Sequence, residues 1–457
     1  MVVDRETLLD FCEKVINKAL EIGATQAEVR VINFRRYLTR FANSYIHQNT
    51  GETNSSITLR FVLGKRIGTV SINELSEENI DKLVKTGLKV AKVQEENPEF
   101  VSLPEPEPVP ELKEIFVKKT SECSADTRAE LVKELITTAH NFSPKVHSVA
   151  GALSTSQIEI TVTNSLGIQA YSKATLASVN TNIIARENGV EGFGYAAFSS
   201  HNIDEIDPTK IGLEAAERAV NSLGAKKIDL GEYEVILNPY AIATAMVYAG
   251  MNGFNARAVQ DGLSFMLDLR GKKAFFENLT IWDDGLDLRG IAFPFDMEGV
   301  PKKKVVLVEK GVPKNVVYDS YTAHKESKKS TGHAASYGPM PTHVFIAPGD
   351  SSLEEMISET KKGLLVTRFH YVRTVHARKL VITGMTRDGT WLIENGEIKT
   401  PVKNLRFTES LLRTFSHIQL MSKETRRVGL GILYGLGSVV TPYLKIEKFQ
   451  FTGVTEY

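Results

Sequence analysis

The sequence feature that most constrains the fold is a segment, residues 239–252, that reads as a helix without a polar face. It contains no acid, base, thiol or imidazole, and it follows a short apolar segment at 233–237 that is typical of a buried strand. Asn238 is a suitable N-cap, Pro239 suits the first helical position, and Gly253 is expected to end the helix. Such a helix must lie inside a large domain, so the carboxy-terminal half is predicted to fold around it.

The rest of the chain predicts an α+β fold with two helix–β-meander–helix units and a β-rich C-terminal domain around the buried helix. Residues 1–96 form the first unit and residues 113–230 the second. Between them, residues 97–112 hold five prolines among acids, a composition typical of an extended linker. The C-terminal domain covers residues 231–457, and its Glu-Asn-Gly-Glu sequence at 394–397 predicts a hairpin turn.

Composition excludes several classes of function. The chain carries 55 Lys plus Arg and 55 Asp plus Glu, so a global positive field for direct nucleic-acid binding is absent. Two cysteines are too few for a disulfide framework or a cysteine zinc cluster. No apolar run is long enough to span a bilayer, and the first residues do not resemble a signal peptide. We therefore expect a cytoplasmic protein without membrane contact.

The histidines do not predict a metal site. The chain has ten of them and no His-Glu dipeptide, so a zincin helix cannot be present. His370 and His376 are six residues apart, a spacing that does not place both on one face of a helix. Solvated loop histidines are the more common case. Lys302, Lys303 and Lys304 form a charge run that could face phosphate or a partner's acids, but a solvated surface is favoured.

Two further clusters of polar residues have both a chemical and a structural interpretation. Asp283 and Asp284 could serve as a cation site or an acid–base pair, but Asp-Asp-Gly also suits a plain turn, which we favour. The Ser330-Thr-Gly-His333 segment has a hydroxyl near an imidazole without a Gly-x-Ser-x-Gly elbow. A mobile polar loop is the favoured interpretation. If the chain were a hydrolase by itself, Asp283, Asp284, His333 and His370 would be its candidate site.

A set of short motifs, in order along the chain, resembles the TldD/PmbA family, whose name links it to modulation of DNA gyrase. Weaker matches in the first unit extend the resemblance over almost the whole chain. The motifs are Asn-Pro-Tyr-Ala-Ile-Ala (238–243), Asp-Gly-Leu-Ser (261–264), Leu-Thr-Ile-Trp-Asp-Asp-Gly (279–285), Phe-Asp-Met-Glu-Gly-Val-Pro (295–301), Glu-Lys-Gly-Val-Pro (309–313) and Glu-Asn-Gly-Glu-Ile (394–398).

The resemblance implies two branches with different chemistry. TldD-type members are zinc metallopeptidases with a His-Glu-x-x-x-His helix and a late cysteine, and PmbA-type members, also called TldE, pair with them and lack the metal set. The matching positions in this sequence are Val247, Tyr248, Asn252 and, for the cysteine, Val428. None of these is the residue of the catalytic pattern. The resemblance therefore implies the PmbA branch, with no catalytic or metal-binding residue in this chain.

Three hypotheses about function follow. The first is a non-catalytic subunit that pairs with a TldD-type metallopeptidase, which would hold the zinc, and that supports proteolysis of peptides or unfolded proteins. It needs no cofactor of its own, and in isolation it could form a homodimer. The second is a stand-alone hydrolase with a site outside the family pattern. The third is a regulatory protein that binds DNA gyrase or another partner.

Overall fold

The computed structural model describes residues 5–430 and 436–455. The first half of the chain builds one antiparallel six-stranded sheet. Its strands are β1 (Gln26–Ala42), β2 (Tyr45–Leu63), β3 (Arg66–Ile72), β4 (Val146–Asn164), β5 (Gln169–Glu187) and β6 (Val190–Ser200). The helices beside it are α1 (Arg5–Glu21), α2 (Glu77–Val93), α3 (Lys118–Ser121), α4 (Ala125–Phe142) and α5 (Pro208–Asn221). The order in space is β3-β2-β1-β4-β5-β6, so the two helix–meander–helix units are joined through β1 and β4.

The helices of these units begin at ordinary capping residues and cover the sheet with their apolar sides. Ser124 Oγ accepts the N–H of Thr127 at 3.0 Å at the start of α4, and Asp207 Oδ1 accepts the N–H of Lys210 at 2.8 Å at the start of α5. Two apolar cores result, one beneath α1 and α2 and the other beneath α4 and α5. The α+β class predicted from the sequence is confirmed.

The sheet also packs against the carboxy-terminal half of the chain. Ile160 and Val162 on β4 form an apolar cluster with Phe293 and Phe295 from a loop of that half. Gly299 ends the same loop segment with a φ of +77°, and a Cβ on it would lie 3.2 Å from the Cβ of Val162. The loop can approach the sheet this closely only because glycine tolerates this backbone conformation and lacks a side chain.

The proline-rich segment at 97–112 contains neither helix nor strand and is bound along the first sheet. The N–H of Leu103 donates to Gln26 Oε1 at 2.8 Å, and Asn164 Nδ2 donates to the carbonyl of Pro104 at 2.8 Å. Phe100 and Leu103 are buried beside Val62. The segment is extended, as its composition predicts, and it is held by these contacts.

The carboxy-terminal half contains an eleven-stranded mixed sheet with short helices around it. Its strands are β7 (Gly231–Leu237), β8 (Ile281–Asp283), β9 (Val305–Glu309), β10 (Val312–Pro313), β13 (His343–Ile346), β14 (Lys362–His376), β15 (Val381–Glu394), β16 (Glu397–Pro401), β17 (Leu405–Ser410), β18 (Ile418–Gly429) and β19 (Ser438–Val454), and a separate small hairpin joins β11 (Ala334–Ala335) to β12 (Gly338–Pro339). The helices are α6 (Pro239–Asn252), α7 (Ala256–Gln260), α8 (Met266–Leu269), α9 (Ser320–Lys325), α10 (Leu353–Ser358) and α11 (Leu411–Ser416).

The apolar helix α6 lies against β14, β18 and β19 at the largest core of the molecule. Asn238 Oδ1 accepts the N–H of Tyr240 at 3.1 Å, which is the predicted N-cap. Gly253 ends the helix, and a Cβ there would meet the ring of Phe265 at 2.3 Å. The predicted buried helix is confirmed in its limits and position. Neither α6 nor another helix in the described part of the chain is long and apolar enough to cross a membrane.

Polar contacts hold the second unit to the C-terminal half around Tyr240. Its hydroxyl donates to the carbonyl of Ala197 on β6 at 2.9 Å. Arg426 on β18 pairs with Glu214 on α5 at 2.6 Å and lies 4.6 Å from the centroid of the Tyr240 ring. The central helix is therefore fixed to the second unit as well as to its own sheet.

Candidate functional site

The first candidate site comprises the positions at which the resemblance places the family's zinc residues. Val247 on α6 is buried, with 8% of its surface exposed. The hydroxyl of Tyr248 donates to the carbonyl of Val372 on β14. Asn252 Nδ2 donates to the carbonyl of Tyr248 at 3.0 Å and to Thr374 Oγ1 at 2.9 Å. The hydroxyl of Tyr248 and the amide nitrogen of Asn252 are therefore engaged with the neighbouring strand and with the helix itself.

The fourth position, Val428, lies on β18 opposite Val439 on β19. Val428 and Tyr248 are both partly buried against the main core. Zinc in proteins is bound by cysteine, histidine or carboxylate side chains. A valine offers none of these, so two of the four positions have no atom that could coordinate the ion.

The backbone of α6 also disfavours a site at these positions. The helix continues through Gly250 to Asn252 and ends at Gly253, as expected. On a regular helix, Val247 and Asn252 are about 140° apart. Ligands placed there would diverge instead of pointing at one ion.

The second candidate site is a buried pair that the sequence separates by fifty residues. Asp283 ends β8, and His333 lies in the segment before β11; neither has any exposed surface. His333 Nε2 is 2.8 Å from Asp283 Oδ1, and Asp283 Oδ2 accepts the N–H of His343 at 2.7 Å. The favoured interpretations of Asp283 as a turn residue and of 330–333 as a mobile polar loop are wrong, because both side chains are sealed in the protein.

Asp283 and His333 form a buried hydrogen-bonded pair. His333 Nδ1 is 2.8 Å from the carbonyl of Thr331, an acceptor, so Nδ1 carries a proton. Nε2 and Asp283 Oδ1 are then within hydrogen-bond distance, and one of them must donate. Burial alone would raise the pKa of Asp283, but the charge and hydrogen bond of His333 and the charge of Lys302 bring it below its usual value. The hydrogen bond between them fixes the orientation of both side chains.

The other predicted site residues lie elsewhere. Asp284 accepts the N–H of Leu286 at 3.2 Å, which agrees with the predicted turn. Ser330 Oγ donates to the carbonyl of Tyr318 at 3.2 Å and is not engaged with His333. His370 lies on β14, which is not a neighbour of β8 in the sheet. The structure therefore brings together Asp283 and His333 and leaves His370 apart.

Sequence reasoning missed a series of buried charges between the two halves of the molecule. Arg60 on β2 pairs with Glu28 on β1 at 3.2 Å and with Glu298 of the C-terminal half at 3.0 Å. Glu298 Oε2 also accepts the N–H of Ser320 at 3.0 Å. Burial raises the pKa of Glu28, and the charge of Arg60 opposes that effect. Each residue alone looks like a surface charge in the sequence, and only the pairing of the halves buries them.

Asp296 and Lys302 extend this series. Asp296 Oδ1 accepts the N–H groups of Glu298 and Val300 at 2.9 and 3.0 Å, and Oδ2 accepts that of Ala334 at 2.8 Å. Burial and the charge of Glu298 raise the pKa of Asp296 to about 7. The sequence favours a solvated surface for Lys302, but only 7% of the residue is exposed, and burial lowers the pKa of its ammonium. It stands apart from Lys303, which pairs with Glu107 at 2.8 Å.

Comparison with known proteins identifies the family of this chain. Residues 230–453 match the PmbA/TldA metallopeptidase C-terminal domain, residues 118–223 match the central domain, and residues 27–91 match domain 1. The chain belongs to the TldD/PmbA family. The resemblance inferred from the short motifs is confirmed along the length of the chain.

Relatives of this TldD/PmbA family member include proteins named as metalloproteases. A metalloprotease of Methanocaldococcus jannaschii is 26% identical over 432 residues, covering 90% of this chain and 92% of that protein. The metalloprotease PmbA of Escherichia coli O157:H7 is 25% identical, with 95% of each chain covered.

Two crystal structures share the fold of this family member, each with a TM-score of 0.87 and 22% identity. One is TldE from Thermococcus kodakarensis, aligned over 97% of this chain and 100% of that chain. The other is a Thermotoga maritima protein whose name links it to modulation of a DNA gyrase, aligned over 98% of this chain and 100% of that chain.

The metal that the family's name implies does not fit the residues at the positions that the resemblance assigns to it. Val247 and Val428 cannot coordinate, and the amide nitrogen of Asn252 is hydrogen-bonded to Tyr248 and Thr374. Among the residues that the structure describes, no group of three or more His, Cys, Asp and Glu side chains is placed to hold a metal ion. No chemical step through a bound metal is therefore derived for this chain.

Proposed function

We propose that this chain is the non-catalytic, PmbA/TldE-type subunit of a metallopeptidase complex. Its partner would be a TldD-type subunit that carries the zinc, and together they would act on peptides or unfolded proteins. The observation that carries this proposal is the closed arrangement around α6, where Val247 is buried and Tyr248 and Asn252 are bonded to β14. The protein would contribute to the complex by assembly and substrate binding, in the cytoplasm.

The likeness to known proteins supports the same proposal at a coarser level. Membership of a metallopeptidase family together with unsuitable residues at the metal positions is what a partner subunit would show. The E. coli relative that shares 25% identity along almost the whole chain carries the PmbA name. The division of labour between two subunits is the part of the proposal that experiment must test.

A stand-alone hydrolase is disfavoured by the burial of its best candidate residues. Asp283 and His333 have no exposed surface, and Ser330 is bonded to a backbone carbonyl. A catalytic base must come within hydrogen-bond reach of the group from which it takes a proton. A substrate could reach this pair only after the surrounding segments had separated.

Binding to DNA gyrase is a second candidate function, raised by the name of the Thermotoga structure. The balanced charge of the chain favours a protein contact over direct contact with DNA. A supercoiling assay with purified gyrase and increasing amounts of the chain tests this function. A change in supercoiling that occurs without the TldD-type subunit would favour it over the proteolytic role.

The main experiment measures zinc content and proteolysis. The purified full chain should hold much less than one zinc per molecule by elemental analysis, because two of the four positions that the resemblance assigns to the metal set are valines. It should leave a labelled unfolded casein intact by itself and permit cleavage when it is mixed with a TldD-type protein from the same organism. Size-exclusion chromatography with light scattering should show a complex of the two chains and reveal whether the isolated chain is a homodimer.

The control replaces the His-Glu pair of the TldD-type partner by alanines. The inactive partner should still form the complex, and cleavage should disappear, which places the chemistry in that subunit. Chelator-sensitive cleavage by the isolated chain, or one tightly held zinc per chain, would overturn the proposal.

A further inference from the structure

An open cavity of about 570 Å³ lies where the loop at 293–302, the end of α6 and the β11–β12 hairpin meet. The walls are largely apolar, and the volume lies in the range of ligand sites in proteins. The apolar side chains in the wall are Ile160, Phe293, Phe295, Met340 and Leu436. The cavity belongs to neither of the candidate sites described above, although it adjoins the buried charges.

The mouth of the cavity exposes apolar side chains to solvent. Met251 is 44% exposed and Leu263 is 50% exposed, and Tyr337 at the tip of the hairpin is fully exposed. The sequence places Met251 among the buried residues of α6, but its side chain lies at this opening. Exposed apolar groups that line one opening are typical of a surface that contacts a ligand.

Lys302 lines this cavity as a buried lysine without a partner. Among the described residues, its ammonium makes no hydrogen bond and no ion pair. The aliphatic part of the side chain lies against Gly285, where a Cβ would be only 2.6 Å from Lys302 Cγ. The residue is mostly buried, and its ammonium is not among the fully buried atoms that lack a partner, so it can face the open cavity. A cation in a largely apolar wall without a hydrogen-bonded counter-ion is suited to an anionic group supplied from outside.

The nearest carboxylates of the protein are occupied by other donors. Asp283 is held by His333 and by the backbone of His343. The two oxygens of Asp296 accept three backbone N–H groups. Both acids attract the Lys302 ammonium at longer range, and neither reaches it with a hydrogen bond.

His343 provides a second unpartnered polar atom in the same wall. The residue is 2% exposed, and its Nε2 has no hydrogen-bond partner among the described atoms. Its Nδ1 lies 3.0 Å from Thr342 Oγ1, which can donate its hydroxyl proton to that nitrogen. Burial and the charge of Lys302 lower the pKa of His343 to about 3, so the ring is neutral. With Thr342 donating to Nδ1, the Nε2 of His343 carries the ring proton and is a donor that lacks an acceptor.

We infer that this cavity binds the terminal carboxylate of a peptide with apolar final residues. Lys302 would be the counter-ion, and His343 Nε2 would donate to the second carboxylate oxygen. The walls would take the last apolar side chain, and Met251, Leu263 and Tyr337 would contact the residues before it. A peptide that extends out of the mouth of the cavity would contact these three residues. A small molecule enclosed in the cavity would not reach them.

The inference goes beyond the proposed function because it concerns binding by the isolated chain. It holds whether or not the chain pairs with a metallopeptidase, and failure of either proposal leaves the other standing. The carboxylate could also belong to a fatty acid, and the experiment separates that source from a peptide.

The experiment titrates the full-length chain calorimetrically with N-acetyl-leucyl-phenylalanine and with the same dipeptide as its carboxy-terminal amide. The acid is expected to bind about tenfold or more tightly than the amide, since a hydrogen bond to a charged group exceeds one to a neutral group by about that factor. Decanoate serves as the fatty-acid probe and should bind more weakly than the dipeptide acid.

Matched variants locate the recognition. Lys302→Met keeps the length of the side chain and removes its charge, and we expect the preference for the acid over the amide to disappear. Lys303→Met removes the neighbouring lysine, which pairs with Glu107, and should leave the preference unchanged. Thermal melts of both variants verify that they are folded.

Equal affinity of the wild-type chain for acid and amide, or no binding of either, would overturn the inference without reference to any variant. An acid preference that survives in Lys302→Met would overturn the role of that lysine. Tighter binding of decanoate than of the dipeptide acid would overturn the assignment to a peptide.

Discussion

Val247 is an ordinary core residue at the position to which the resemblance assigns a zinc ligand of the catalytic branch. We expect Val247→Ala to lower the free energy of unfolding by about 1–3 kcal/mol, because it removes two buried methyl groups and leaves a space beside the helix. Urea denaturation measures the change. Val93→Ala, at an 80% exposed position on α2, is the control and should have almost no effect. If both substitutions left the free energy of unfolding almost unchanged, Val247 would not be a packed core residue.

Asp283 permits a second test on a single residue, because its neighbour Asp284 provides a matched control. Asp283→Ala removes the carboxylate, so the buried N–H of His343 and the ring of His333 lose their partner. We expect a loss of about 1–3 kcal/mol in the free energy of unfolding. Asp284→Ala removes the acceptor of the Leu286 N–H at a partly exposed position and should lower stability by less than about 1 kcal/mol. Similar losses in the two variants would contradict a structural role for the buried pair.

At the scale of elements, the sequence predicts well what local residues determine. The helix α6 begins at the predicted Asn238 and ends at the predicted Gly253. The predicted hairpin turn is present between β15 and β16, with φ of 52° at Asn395 and 80° at Gly396, as a two-residue turn of this kind requires. Caps and turns depend on side chains a few positions apart, so a single sequence contains the necessary information.

The candidate site could not be predicted in the same way, because its contacts join distant parts of the chain. The partners Asp283 and His333 are brought together by the folding of β8 against the segment before β11. Lys302 is buried although it starts a run of three lysines, since it follows the loop that packs on the first sheet. Burial of a charge is decided by which elements meet, and neither composition nor spacing states that.

The element α6 itself can be tested by restoring the residue types of a zinc helix. We expect Val247→His with Tyr248→Glu and Asn252→His to bind zinc weakly at best and to melt at a lower temperature than the parent. The regular helix separates the two histidines by about 140°, the bond from Tyr248 to Val372 is lost, and polar groups enter an apolar setting. Zinc titration by calorimetry and thermal melts provide the measurements.

Adding Val428→Cys to this triple variant restores the fourth position and serves as the matched comparison. It should improve zinc binding only slightly, because the groups that would orient the ligands are absent. Tight zinc binding by either variant, with an unchanged melting temperature, would show that a metal site is still preformed around α6.

At the scale of the whole molecule, the two N-terminal units act as one layer because they share a sheet. The sequence predicts their repeated layout but not the pairing of β1 with β4, which depends on contacts between strands more than a hundred residues apart. One side of this layer meets the C-terminal half through Phe293, Phe295 and the ion pair of the partly buried Arg60 with the buried Glu298. Stability of this junction should therefore depend on the charge states of its buried acids.

Asp296 determines whether the stability of the protein rises or falls with pH. Burial and the charge of Glu298 raise its pKa from 3.8 to about 7, so between these pH values the folded protein holds a proton on Asp296 that the unfolded chain has released. Stability must then fall as pH rises through this window, with a slope of up to about 1.4 kcal/mol per pH unit from this group.

We expect Asp296→Asn to remove that slope, although the variant loses the acceptor for the N–H of Ala334 and is less stable at low pH. The measurement is the free energy of unfolding from pH 5 to pH 8, with Asp261→Asn at the cavity mouth as the control. Because Glu298 and Lys302 remain in the variant, the difference between the two curves isolates Asp296, and parallel curves for the wild type and Asp296→Asn would contradict its assignment as the titrating group of the junction.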